Sequence, residues 1–177
     1  MARANLDQFV KNAAHAAQAV QREVSSALGP PEEGMRASNA NAVVPSILFK
    51  STRGYLEKIA NQANGAYSQG WFDASAVMIR RLLETLIIEA FEKHGRAAEI
   101  QNQDGDFLYL RDLITKTGVC TAWNLSRNTK QALPRLKDVG DKSAHSRRFN
   151  AVRNDLDSIK ADLRCVAEEL LSLAGMR

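Results

Sequence analysis

WFDASAVMIRRLLETLIIEAFEKHG, residues 71–95, carries the strongest helical signal in the chain. Phe72, Ala76, Ile79, Leu83, Leu86 and Ala90 recur at helical spacing and form one face. Val77, Ile88 and Phe91 widen that face almost halfway round. A helix apolar over so much of its circumference belongs in the middle of a bundle. Gly95 is placed to cap its end. Within this apolar run, Arg80 and Glu84 point to the same side as Val77, Ile87, Ile88 and Phe91 on a wheel of about 100° per residue. Their i, i+4 spacing lets them touch. Arg81 falls on the polar side with Thr85 and Glu92.

Outward from this helix, the rest of the chain is also helical in pattern. Leu6, Phe9, Val10, Ala13, Ala17, Val20, Val24 and Leu28 give a shallow, Ala-rich helical face over residues 5–28. GPPEEG (29–34) stops it, and MRASNANAVVP (35–45) lacks a period. These features predict a helical arm over 1–28, a linker over 29–44 and a main domain over 45–177. A helix is expected from Pro45 to Gln69 with Ile47, Leu48, Tyr55, Ile59 and Tyr67 on its apolar side, ended by Gly70. Residues 96–105 read as a polar loop, followed by a short helix over FLYLRDLITKTG (107–118) with Phe107, Leu110, Leu113 and Ile114 inward. A further helical region runs from about Ala122 to Val139, broken or restarted at Pro134. Phe149, Val152, Leu156, Ile159, Leu163, Val166, Leu170 and Leu173 then alternate spacings of three and four, as on a packed helix. No segment alternates as a strand does. The expected fold is all-α, an up-and-down bundle of four to five helices with an N-terminal helical arm.

Composition narrows the classes. The 177 residues are 45% hydrophobic and 25% charged, ordinary for one soluble domain with a real core. A formal charge of +4 permits an acidic partner, but 24 basic residues are interspersed with 20 acidic ones. Cys120 and Cys165 lack a second Cys or His at metal-ligand spacing, and their plain reading is two thiols in a reducing compartment, with a disulfide left open. The opening segment is not ordered like a signal peptide, and no apolar run reaches membrane-spanning length. The expectation is a cytoplasmic protein with no membrane association.

No phosphate loop, His-Glu-x-x-His helix, EF-hand, Gly-x-Ser-x-Gly elbow or Glu-x-x-His pair occurs, which argues against a metal, and no cofactor is expected. Two groups of residues remain. Arg80 and Glu84 are either an internal ion pair that fixes a neighbouring helix or, for Arg80, an anion contact in a cleft. His145, in GDKSAHSRRF (140–149), has three roles open: a structural hydrogen bond, a general acid/base or a metal ligand. The last is poor without a nearby His or Cys. A helical turn over 141–145 would let Asp141 reach the imidazole and favour its charged form. Arg147 and Arg148 could add phosphate contacts. Alternatively Gly140 ends one helix, Asp141 and Ser143 satisfy free backbone groups, and Ser146 or Asn150 caps the next.

Two of these segments together resemble a known family. AYSQGWFDASAVMIRRLLETLIIEAFEKHG (66–95) is similar to the core helix of an uncharacterised prokaryotic branch of the HEPN superfamily (higher eukaryotes and prokaryotes nucleotide-binding). That branch carries Arg-x-x-Leu-Glu, matched by Arg80, Leu83 and Glu84. Its second motif, Gly-Asn-x-x-Ala-His, is matched in LKDVGDKSAH (136–145) by Gly140, Ala144 and His145. The resemblance spans about residues 55–175. It implies a HEPN-like bundle that forms a homodimer or larger homo-oligomer, with the histidine motif near a shared cleft, in phage defence or another stress response.

Active HEPN ribonucleases use Arg-Asn-x-x-x-His to cleave RNA without metal, through the 2′-hydroxyl. Here Gly140 and Asp141 stand at the Arg and Asn places. The leading expectation is therefore a dimerising module that binds a protein partner or an anionic ligand, with catalysis degenerate or absent. In it Arg80, Glu84, Asp141 and His145 form a structural polar cluster. The alternative is a metal-independent endoribonuclease acting on RNA, with His145 as general acid/base and Arg80, Lys142, Arg147 and Arg148 as phosphate contacts.

Overall fold

The computed structural model describes residues 11–20 and 42–177 and divides the chain into two units, Met1–Glu33 and Gly34–Arg177. In the first unit residues 11–20 are helical (α1) and exposed. The remainder of the expected arm, and the linker up to residue 41, lie outside the described residues.

Among the described residues of the second unit all regular structure is helical: α2 (Gly54–Ser68), α3 (Phe72–Lys93), α4 (Leu110–Val119), α5 (Arg127–His145) and α6 (Arg153–Leu173). Short 3-10 turns stand at Ser46–Leu48 and Ala97–Ile100. Among the described residues there is no strand, only an isolated bridge between Gln101 and Phe107. No described helix is long and apolar enough to cross a membrane. Cys120 is buried, Cys165 half-buried, and both thiols are free.

The fold is organised by α3, which packs against α2, α4, α5 and α6. Its Ile79, Leu82, Leu83, Leu86, Ile87 and Phe91 are fully buried, and burying a side chain of this size stabilises by about 1.5–3 kcal/mol. The central position expected from its apolar circumference is the one it has. The expected face of Ala76, Ile79, Leu83, Leu86 and Ala90 is buried, and it is completed by Leu82 and Ile87, while Val77, expected at its edge, is exposed. α6 keeps its stripe of Leu156, Ile159, Leu163, Val166 and Leu170 and adds Ala167 and Leu171.

Several boundaries differ from the sequence reading, each for a local reason. The helix expected from Pro45 begins instead at Gly54. Between them the chain makes a 3-10 turn and a sharp bend in which Ser51 has φ 68° and the Thr52 hydroxyl donates to the Phe49 carbonyl. This segment is built around burial of Val43, Val44, Leu48 and Phe49, so the core reaches back into the expected linker, while Ile47 and Tyr55 are exposed. Asn64 holds it down, accepting from the Val44 amide and donating to the Val44 carbonyl, both at 2.8 Å. Phe107 is exposed and α4 starts at Leu110.

Pro134 does not break α5, which runs through it and through Gly140 to His145. Gly140 therefore is not a helix end. It is the crossing point with α3: a methyl group there would lie 2.7 Å from Arg80 Cβ and 3.2 Å from the Ala76 carbonyl oxygen. Glycine is needed for that approach. α5 begins at Ser126, whose hydroxyl accepts from the Thr129 amide. Neither Ser146 nor Asn150 caps α6. Its cap is Val152, whose amide donates to the Asp155 carboxylate at 2.9 Å, the acidic half of a capping box.

Candidate functional site

The close approach at Gly140 brings the polar side of α5 against Arg80. The Arg80 Nε donates to Asp141 Oδ1 at 2.8 Å, and Nη1 lies 3.1 Å from Glu84 Oε1, one turn along α3. Asp141 turns its second oxygen to the Lys137 ammonium, one turn back on α5. The Leu110 backbone, at the start of α4, is close enough to Glu84 to favour its ionised form. Two cations and two carboxylates thus tie α3 and α5 together in a locally neutral cluster. Their side chains are between 23% and 30% exposed, so the cluster is half-buried rather than sealed.

The two carboxyls respond in opposite ways. Burial is the largest influence on Glu84 and, outweighing the nearby Arg80, raises its pKa. Burial works on Asp141 in the same direction, but hydrogen bonds from Lys137 and Arg80 outweigh it and hold this carboxyl below its ordinary range. Structural ion-pair networks separate pKa values in this way, as active sites do.

Of the sequence-predicted residues, the fold brings together Arg80, Glu84 and Asp141. It does not add His145 to them. Residues 141–145 are helical, as the expected Asp141–His145 contact needs, but both Asp141 oxygens are taken by Arg80 and Lys137. His145 is exposed at the last position of α5, and nothing among the described residues hydrogen-bonds to it. Lys142 pairs with Asp138 at 2.6 Å in the open. Arg147 and Arg148 are exposed in the turn that follows, where the Ser146 hydroxyl accepts from the Arg148 and Phe149 amides. Ser143 Oγ is buried and has no partner among the described residues.

Lys137 was not legible as a member of the cluster, although its i, i+4 relation to Asp141 was the available signal. A second feature becomes visible only in three dimensions. Residues 142–154 contain Lys142, His145, Arg147, Arg148 and Arg153 and no acid. Arg153 opens α6, its guanidinium 4.9 Å from the centre of the buried Tyr67 ring and its Nη1 donating to the Tyr67 hydroxyl at 2.9 Å. Lys160 donates to the same hydroxyl at 3.1 Å, and Tyr67 donates in turn to Asp157. Asp73 accepts from the Ala151 amide at 2.9 Å and so fixes the α5–α6 turn against the start of α3. The basic turn is held at both ends while His145, Arg147 and Arg148 face water.

These features define an all-helical protein with a half-buried ion-pair cluster between α3 and α5 and an exposed basic turn after α5. Compared with known proteins, the chain matches no family model, no curated protein and no solved structure.

Proposed function

We propose that the chain is a HEPN-like binding module that associates with a second copy of itself and receives an anionic partner on the turn between α5 and α6. It acts without cleavage. The observation that carries this reading is the division of labour among its cations. Arg80 and Lys137 are committed to Glu84 and Asp141, whereas His145, Arg147 and Arg148 face solvent in a stretch with no acid. The meeting of the two motif segments, 61 residues apart, through Arg80 and Asp141 supports the family resemblance.

The endoribonuclease reading retains one point in its favour, an accessible His145 with two arginines in the next turn. Against it, no carboxylate among the described residues orients the imidazole, and Arg80 is turned to acids rather than to a site shared with His145. Both readings are tested together. Purified protein is mixed at low salt with labelled single-stranded RNA or with polyglutamate, in EDTA, and anisotropy and RNA integrity are followed. The expected result is salt-sensitive binding of at least one polyanion, weakened in Arg147→Gln/Arg148→Gln, with the RNA intact. Binding of neither polyanion overturns the proposal. Cleavage abolished by His145→Ala in a folded protein replaces it with the nuclease reading.

A further inference from the structure

Away from the α5–α6 turn, residues of α4 and α5 line a groove with a volume near 520 Å³. That volume falls within the range of roughly 300–1,000 Å³ typical of small-molecule sites. α4 contributes Arg111 and Ile114 to it, three apart and so on one stripe of the helix. α5 contributes Pro134, Arg135 and Lys137. Cations therefore stand on both walls, with apolar surface from Ile114 and Pro134 between them. We propose that this groove binds a small phosphorylated ligand, a phosphomonoester carried on a compact apolar body.

The charges favour this class. Asp138 also lines the groove, with Lys142 at 2.6 Å, and Lys137 is held by Asp141, so Arg111 and Arg135 carry the grip on an anion. Arg111 and Arg135 have carboxylate neighbours, Asp112 at 3.3 Å and Asp162 at 2.9 Å, yet their side chains are 79% and 62% exposed. Ion pairs so open to water are weak. A phosphate dianion gripped by two planar guanidinium forks, one from each wall, competes well against them. None of the cations that line the groove belongs to the basic turn of the proposed function, so each site can fail without the other.

The test uses the whole chain, isotope-labelled for amide NMR and titrated with phenyl phosphate, benzoate and benzyl alcohol. Saturable shifts from phenyl phosphate on α4 and α5, with markedly weaker binding of the other two, are expected. Arg111→Gln and Arg135→Gln, at exposed positions that leave the fold intact by circular dichroism, should each weaken phenyl phosphate about tenfold or more. Absence of saturable binding, shifts located elsewhere, or unchanged affinity in both variants overturns the proposal. Benzoate binding as tightly as phenyl phosphate also overturns it, because the site would then lack the phosphate preference assigned to it.

Discussion

Arg80 meets α5 twice, through its charge at Asp141 and through its β-carbon at Gly140, and the two contacts make different predictions. Alanine at position 140 favours a helix by about 1 kcal/mol over glycine, yet its methyl would press on Arg80 Cβ and on the Ala76 carbonyl, neither a flexible chain end. Overpacking of this kind costs about 1–3 kcal/mol, so Gly140→Ala should lower stability in urea although it improves local helix propensity. The acids of the cluster should behave unequally. Asp141→Asn at neutral pH should cost about 1–3 kcal/mol, because it removes a carboxylate that accepts from two cations. Glu84→Gln should cost less, since burial already opposes ionisation of Glu84. Acid titration separates them further. The depressed Asp141 pKa means that the unfolded chain binds the proton more tightly than the folded one. The stability Asp141 contributes is then present above its unfolded value and lost as pH falls below about 4. Thermal melts of Asp141→Asn should therefore show a shallower acid loss than those of the parent chain; equal slopes would contradict the assignment.

At the scale of elements, what the sequence made legible follows the reach of each signal. The apolar periods of α3 and α6 extend over five to six turns, long enough to average out single misfits, and both helices are present. The edges of the buried face of α3 were less legible than its centre. Its apolar circumference is so wide that a wheel does not separate Val77 from Leu82, and only the surrounding helices decide. Leu82→Ala should cost about 2–5 kcal/mol and Val77→Ala well under 1 kcal/mol in chemical denaturation. In α5, Pro134 and Gly140 read as punctuation, but the first is carried by an otherwise continuous helix and the second serves a crossing. Neither role has a local signature. The bend before α2 was illegible for the opposite reason: it exists to bury Val44 and Phe49, an outcome that no short-range pattern encodes. Of the candidate site, the i, i+4 pair was readable from the wheel. The partner choice of Asp141 was not, because two cations compete with His145 for it.

At the scale of the whole second unit, polar pins stand at the helix seams. Arg80 and Asp141 join α3 to α5, and Arg53 reaches the buried Glu89 at 3.1 Å to join the start of α2 to α3. Tyr67 and Asp157 join α2 to α6, and Glu169 accepts from the Ser126 amide and hydroxyl, each at 2.7 Å, to join α6 to α5. Apolar burial supplies most of the stability of such a fold and polar pins its register. The proposed self-association is tested at the same scale. Light scattering across working concentrations should give at least twice the 19.5 kDa chain mass, and a steady monomer mass would remove that part of the proposal.

The contact between Gly140 and the Arg80 β-carbon also has an evolutionary consequence. Every residue but glycine has a β-carbon, so exchanging Arg80 for another side chain would not relieve the crowding at 140. The two positions form a single unit of variation: descendants of this chain can change the charge at 80, but a larger residue at 140 would have to arise together with a wider separation of the two helices.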